Sequence, residues 1–371
     1  MRTKLLQVAA DRGLFGQAKL REALRADEEQ LTARIMTTLE SQAAREALFE
    51  LEGLSAQTVI DVLQDILEKG HLLDKRSHTK ARRFMIKLSA SFDKLPSGLF
   101  ISGVTAKDDH PLFTGGFADI FQGSVAGKKI ALKRIRILYH DEVQRQIRTE
   151  ICKEALVWQT LQHLSILPFM GIDQDTFPGY LCLASPWMEQ GTILKHLKSH
   201  GPANLGRLLF EIADGLQYLH SQNIVHGDLR GANILISNEW RACLADFGLA
   251  SFSDVTASTT TSHNRAGSLR WMAPELINPE KFGQRFLRTP ATDVYAFGCV
   301  CLELYTGEPP FAGLRETAVI LKVSEGVRPE RPTCDPAMSD SLWELVNNCW
   351  EQQSADRPLS EIVCQNFIST N

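Results

Sequence analysis

No stretch of the 371-residue sequence holds 18 or more consecutive apolar residues, so no membrane span is expected. No strong charge bias exists either: 40 basic residues against 44 acidic ones leave a formal net charge of −4. That balance gives no electrostatic reason to expect nucleic acid or an anionic membrane as partner. The apolar stretch behind the first basic residues is too short for a signal-peptide core. None of the eight cysteines forms a Cys-x-x-Cys pair, and most sit in apolar runs. They read as buried free thiols of a reducing compartment, the cytoplasm, and not as a disulfide frame or a zinc site. No internal repeat or low-complexity tract occurs; the Ser/Thr cluster from Ser251 to Ser262 comes nearest and falls in a loop. What is present, 44% hydrophobic and 23% charged residues, can bury a sizeable core.

Proline is absent before Pro96, and Leu, Ala, Glu and Arg dominate there, a helix-forming composition. Residues 1–95 therefore read as a helical N-terminal region. Leu24, Leu31, Ile35, Leu39, Ala43, Leu48 and Leu51 keep a 3.6-residue rhythm. Ser55 is placed to cap a second helix carrying Val59, Val62, Leu63, Ile66 and Leu67, with Gly70 as its stop. A third, basic helix carries Ala81, Phe84, Met85 and Leu88. Its Lys75–Arg83 run has the look of a nuclear-localisation or phosphate-binding patch, but a solvated helix face accounts for it as well. From about residue 110 the pattern turns to short strands, Phe117–Val125 and Lys129–Ile135 about an Ala126-Gly127 turn. A helix near 141–162 and strands near 166–187 follow, and beyond Thr192 the chain reads as mainly helical.

Five short segments carry chemistry by their order and spacing. Leu112–Gly123 is a glycine-containing hairpin, and Ile130-Ala131-Leu132-Lys133 follows it as a strand ending in a lysine. His226-Gly-Asp-Leu-Arg-Gly-Ala-Asn233 places Asp228 and Asn233 five apart. Thirteen residues on comes Asp246-Phe-Gly248, and then Ala273-Pro-Glu275. Each segment alone has an ordinary explanation as a turn, a surface charge or core. Together and in this order they resemble the eukaryotic protein kinases, over residues 104–367. The hinge-like Ser185-Pro-Trp-Met188 and Asp293-Val-Tyr-Ala-Phe-Gly298 resemble the tyrosine-kinase-like group, and most of all its expanded fungal branch, which often carries a helical segment ahead of the kinase.

That resemblance implies an α+β, two-lobed fold, a small sheet-rich lobe followed by a larger helical one. It implies ATP and Mg2+ as cofactors, a protein as substrate and, for the N-terminal helices, a protein partner. Phosphoryl transfer needs charge neutralisation and alignment more than covalent help. In the family pattern the hairpin covers the nucleotide with Phe113, Gly115, Gly116, Ala118 and Ile120; Phe113 and Ala118 stand where the family has glycine. Ala131 lines the adenine, and Lys133 meets the phosphates and pairs with a helical glutamate. Register selects Glu154 for that pair, with Glu150 one turn earlier as runner-up. Ser185 is the gatekeeper, and the backbone near Trp187 and Met188 meets the base. Asp228 serves the acceptor hydroxyl, with Arg230 beside it, and Asn233 and Asp246 hold the metal. Arg357 is expected to pair with Glu275, and Trp158, Phe169, His226 and Phe247 to stack. Three readings stay open. One is an active Ser/Thr kinase. A pseudokinase is argued by the degraded glycine loop and by Gly227 in place of an arginine. A dual-specificity or tyrosine kinase is argued by Arg230, against which Gly267-Ser268 echoes the Ser/Thr enzymes.

Overall fold

The computed structural model describes residues 18–68, 74–106, 110–114, 118–135, 153–247, 251–252, 269–333 and 335–368. They fall into two compact units, one of the residues up to Phe100 together with Lys153, and one of the remaining residues from Ile101 on.

The first unit is helical: α1 (Ala18–Glu40), α2 (Gln42–Phe49), α3 (Gly53–Glu68) and α4 (Lys75–Phe92). The apolar rhythm from residue 24 to 51 is not one helix. Ser41 is extended between α1 and α2, and its hydroxyl accepts from the Ala44 N–H. Leu39 and Ala43 stay four apart across this break, so the phase of the rhythm hides it. Ser55 does not cap α3; it lies within its first turn, and the Glu52 carbonyl takes the first helical N–H groups. Gly70, its expected stop, lies outside the described residues. Asp74 caps α4, accepting from the Ser77 N–H at 2.8 Å, and Asp93 ends it in the left-handed region.

Ile60, Leu63, Ala81, Met85 and Leu88 are buried at the centre of this unit. The basic run is not simply a solvated face: Arg76 is exposed, but Arg82 is buried and donates to His78 Nδ1, whose Nε2 meets the Leu67 carbonyl. The chain stays with the unit to its end. The Ser97 N–H and hydroxyl donate to Asp61, Gln57 donates to the Leu95 carbonyl, and Leu95 and Leu99 are buried.

The second unit opens on an antiparallel sheet of β1 (Thr105–Ala106), β2 (Phe113–Thr114), β3 (Ala118–Val125), β4 (Lys128–Ile135), β5 (Gly171–Asp173) and β6 (Cys182–Pro186). Its order is β1-β3-β4-β6-β5, with β2 on β3. Ala126 and Gly127 both have positive φ, the two-residue turn that suits strand twist. Alternation then sorts the strands into faces. Phe121, Ile130, Leu132, Cys182 and Ala184 form an apolar core on one side. Ala118, Ile120, Ala131 and Lys133 lie on the other; Ile120 pairs with Lys133, and Ala131 with Ser185.

A helix at 153–158, α5, precedes β5. The rest is largely helical: α6 (Ile193–His200), α7 (Leu205–Ser221), α8 (Pro274–Ile277), α9 (Pro290–Thr306), α10 (Glu316–Ser324), α11 (Asp340–Cys349) and α12 (Ser360–Ile368). Short strands β7 (Ile224–Val225), β8 (Ile234–Ile236), β9 (Ala242–Leu244) and β10 (Ser251–Phe252) lie between α7 and α8. α9 is buried almost throughout, from Thr292 to Leu304, with Tyr295 between the Arg328 and Arg357 guanidinium groups. A helix buried all round must satisfy its polar side chains internally, and these turn out to organise the site. Six cysteines, 182, 243, 299, 301, 349 and 364, are free and buried; Cys152 and Cys334 lie outside the described residues. Burial pushes the thiols of Cys182, Cys243 and Cys299 up to about 12.

Candidate active site

The loop after β7 presents Asp228. Its N–H donates to His226 Nδ1 at 3.2 Å. Asn233 gives two hydrogen bonds of 2.8 Å to Asp228, one to the backbone carbonyl and one to Oδ2. Arg230 Nε lies 3.4 Å from that same oxygen. The other oxygen, Oδ1, is buried and has no hydrogen-bond partner among the described residues. A buried carboxylate oxygen without a donor is costly, and it retains the capacity to accept a hydrogen bond.

The loop is shaped by α9. Asp293 accepts from the His226 N–H at 2.8 Å and the Gly227 N–H at 2.9 Å, and His220 Nε2 lies 3.0 Å from it. His220 Nδ1 in turn meets the Ser360 hydroxyl at 2.8 Å. Glu303, nearly three turns further along α9, accepts both the Gly231 N–H and the Trp271 indole N–H on Oε2 at 2.9 Å. It thereby ties the Asp228 loop to the segment before Ala273-Pro-Glu275. Burial pushes the Glu303 carboxyl up, opposed by these two donors and by Arg230.

On the sheet side, Lys133 Nζ bonds Glu154 at 2.7 Å and Asp246 at 2.8 Å. Burial opposes the ammonium charge, but the two carboxylates outweigh it and hold Lys133 well above the usual lysine range. Glu154 is buried on α5, whereas the Asp246 side chain is 42% exposed. Asp246 has φ of 66°, a left-handed conformation uncommon outside glycine and of the kind that clusters at functional sites. Phe169, Trp158, Phe247 and His226 make a continuous ring stack, with centroids 5.3, 5.7 and 5.5 Å apart in turn. Arg357 grips Glu275 through both guanidinium nitrogens, at 2.7 and 2.8 Å, where both groups are buried.

The fold thus brings Lys133, Glu154 and Asp246 into one cluster and Asp228, Arg230 and Asn233 into another. Ile120, Ala131, Lys133 and Ser185 share a face of the sheet by register, with Ala118 at its edge. The Trp187 N–H donates to the Lys129 carbonyl at 3.2 Å, and the Met188 carbonyl closes a turn with the Gly191 N–H. Phe113 is 58% exposed on β2. Gly115, Gly116 and Glu150 lie outside the described residues. Sequence reasoning passed over Glu303 and His220. A lone carboxylate in the apolar run Cys299-Val-Cys-Leu-Glu-Leu304 is the signal that could have drawn attention to Glu303.

The residues present fit a magnesium nucleotide. Magnesium keeps several waters and takes one or two protein oxygens besides phosphate, so Asp246 and Asn233 suffice. No cage of three or more His, Cys, Asp or Glu side chains exists among the described residues, nor is one needed. No described helix is long and apolar enough to cross a membrane.

Comparison with known proteins agrees with this geometry. Residues 107–367 match the model of the protein tyrosine and serine/threonine kinase family. The chain is 30% identical over 251 residues to the serine/threonine/tyrosine-protein kinase HT1 of Arabidopsis thaliana, covering 66% of this chain and 61% of that protein. It is 30% identical over 265 residues to the serine/threonine-protein kinase STY46 of the same plant, 70% of this chain and 43% of the relative. The probable serine/threonine-protein kinase drkD of Dictyostelium discoideum is 32% identical over 251 residues, which are 66% of this chain and 18% of that protein. The chain therefore spans between about a fifth and three fifths of the length of these relatives. With its kinase motifs assembled in space and 261 of its 371 residues inside the family model, the chain belongs to the protein tyrosine and serine/threonine kinases, in their tyrosine-kinase-like group.

Proposed function

We propose that this chain transfers the γ-phosphoryl group of ATP to serine and threonine hydroxyls of proteins, as part of signalling. The observation that carries the reading is the arrangement at Asp228: one carboxylate oxygen held by Asn233 and Arg230, the other buried and without a donor among the described residues. Oδ1 accepts the hydroxyl proton of the acceptor as the oxygen attacks phosphorus. Lys133, kept charged by Glu154 and Asp246, faces the α- and β-phosphates from the sheet. Asp246 and the Asn233 side-chain oxygen hold magnesium, which neutralises charge on the phosphates. Ile120, Ala131, Ser185 and the backbone at Trp187 and Met188 receive the adenine. The serine/threonine preference is supported by the similarity to serine/threonine-protein kinases; Arg230 beside Asp228 favours dual specificity as the second reading.

The test is radiolabelled phosphate transfer with phosphoamino-acid analysis. Asp228→Asn should cut turnover by a factor of about 10² or more with ATP binding little changed. Equal background transfer by both proteins would make the chain a pseudokinase. Phosphotyrosine as the main product would reverse the acceptor assignment.

The reading also divides the chain into a kinase domain at residues 104–367 and a helical region at 1–95 that binds a protein partner. A chain beginning at Ile101 should then stay folded and keep transferring phosphate. Loss of its cooperative melting transition would make the helices part of the kinase core.

A further inference from the structure

Gly227 has a φ of 81°, and as a glycine it carries no Cβ to restrict the peptide that joins it to Asp228. That peptide plane sets the direction in which the Asp228 side chain leaves the backbone. Its two polar groups are held by different side chains. The Asp228 N–H donates to His226 Nδ1 at 3.2 Å. The Gly227 carbonyl accepts from Arg288 Nε at 3.0 Å. Arg288 is buried just ahead of α9, with its guanidinium 5.2 Å from the Phe286 ring. Asp293, one turn into the same helix, takes the N–H on the other side of Gly227.

We propose that Arg288 is a positioning residue for Asp228: its guanidinium fixes the Gly227–Asp228 peptide plane and so keeps the carboxylate aimed at the acceptor. The proposal rests on the reading of Asp228 given above. A glycine before the catalytic aspartate has access to several peptide orientations, and only some leave Oδ2 on Asn233. A charged donor on the Gly227 carbonyl selects one of them, because a hydrogen bond from a guanidinium is stronger than one between neutral groups. A cation is thus present at this loop although residue 227 supplies none. It comes from the α9 side and acts on the backbone.

The test compares wild type with Arg288→Met, which keeps a long stem against Phe286 but no donor. The readouts are kcat, the KM for ATP, and backbone hydrogen exchange of the His226–Asn233 peptide. In Arg288→Met, kcat should fall about tenfold, KM for ATP should stay within about twofold, and the loop peptide should exchange faster. Arg288→Lys, with a single donor, should recover part of the loss. In an Asp228→Asn background the Arg288→Met loss should disappear, because both changes act through one carboxylate. The proposal is overturned if the two losses multiply, if kcat stays within about twofold of wild type, or if loop exchange is unchanged. Should wild type transfer no phosphate, the kinase reading itself falls, and hydrogen exchange alone decides whether Arg288 holds the loop. Should Arg288→Met fail to fold, Arg288→Lys decides by the same criteria, with about a threefold loss of kcat expected.

Discussion

The Asp228 loop and the β2–β3 hairpin serve the same reaction and are built in opposite ways. The loop is pinned chiefly by α9: Asp293 accepts two of its N–H groups and Glu303 a third, while the loop's own His226 accepts a fourth. In the hairpin, β3 is anchored by Phe121 in the apolar core, but among the described residues β2 is held by its pairing with β3. β2 is two residues long, and both are exposed, Phe113 among them. On the proposed reading, acceptor chemistry needs a carboxylate placed within tenths of an ångström, and its supports are buried side chains of α9, 66 to 72 residues away along the chain. A nucleotide brings its own charge and magnesium, so the strands above it can close on it when it arrives. Preorganisation is concentrated where the substrate is a neutral hydroxyl with little to grip.

Asp293→Ala tests that contrast hardest. It leaves the His226 and Gly227 N–H groups without their acceptor inside a buried network, so unfolding free energy should drop by about 3–5 kcal/mol. Denaturant titration would measure it, and a loss below about 1 kcal/mol would mean the loop is no better held than the hairpin.

Glu303→Gln sharpens the comparison through pH. Burial raises the Glu303 carboxyl, so the folded state keeps its proton more readily than the unfolded chain does. Ionising it therefore costs stability, starting as pH rises past the ordinary value of 4.5 and complete above the raised one. A glutamine oxygen can accept from Gly231 and Trp271 with no charge to bury. The variant should match wild type near pH 4 and be the more stable of the two at pH 7. A gap that is the same at both values would remove burial as the cause.

Ala118→Gly should have the smallest effect. Ala118 is half-buried at the start of β3, where glycine gives the backbone more room near phosphate. KM for ATP should fall by about twofold or stay unchanged. A clear rise would show that the Cβ is a needed contact and the hairpin less yielding than its exposure implies.

What the sequence disclosed and what it hid follow one physical rule. Asp228, Arg230 and Asn233 lie within six residues, and Asp246-Phe-Gly248 follows closely, so their spacing is visible along the chain. The Lys133–Glu154 pair spans 21 residues and was reached only through helix register. Glu303 lies 72 residues from Gly231 and Arg288 lies 61 from Gly227, and no local pattern encodes either contact. The same holds in the helical unit. The α4 core residues Ala81, Met85 and Leu88 show as periodicity. The break at Ser41, the burial of Arg82 and the tie from Ser97 to Asp61 depend on capping and on distant partners.

The division of the sheet into two faces also bears on how small molecules could be made to react with this protein. Cys182 points with Ala184 into the apolar face and holds its proton tightly. The opposite face, with Ala118, Ile120, Ala131, Lys133 and Ser185, carries no thiol among the described residues. An ATP-shaped electrophile docked there would find Lys133 as its nucleophile, and that amine is protonated and engaged by two carboxylates. Covalent capture there would require Lys133 first to lose its proton, which Glu154 and Asp246 oppose, before the free amine could attack an activated sulfonyl or ester group, so this lysine should react slowly.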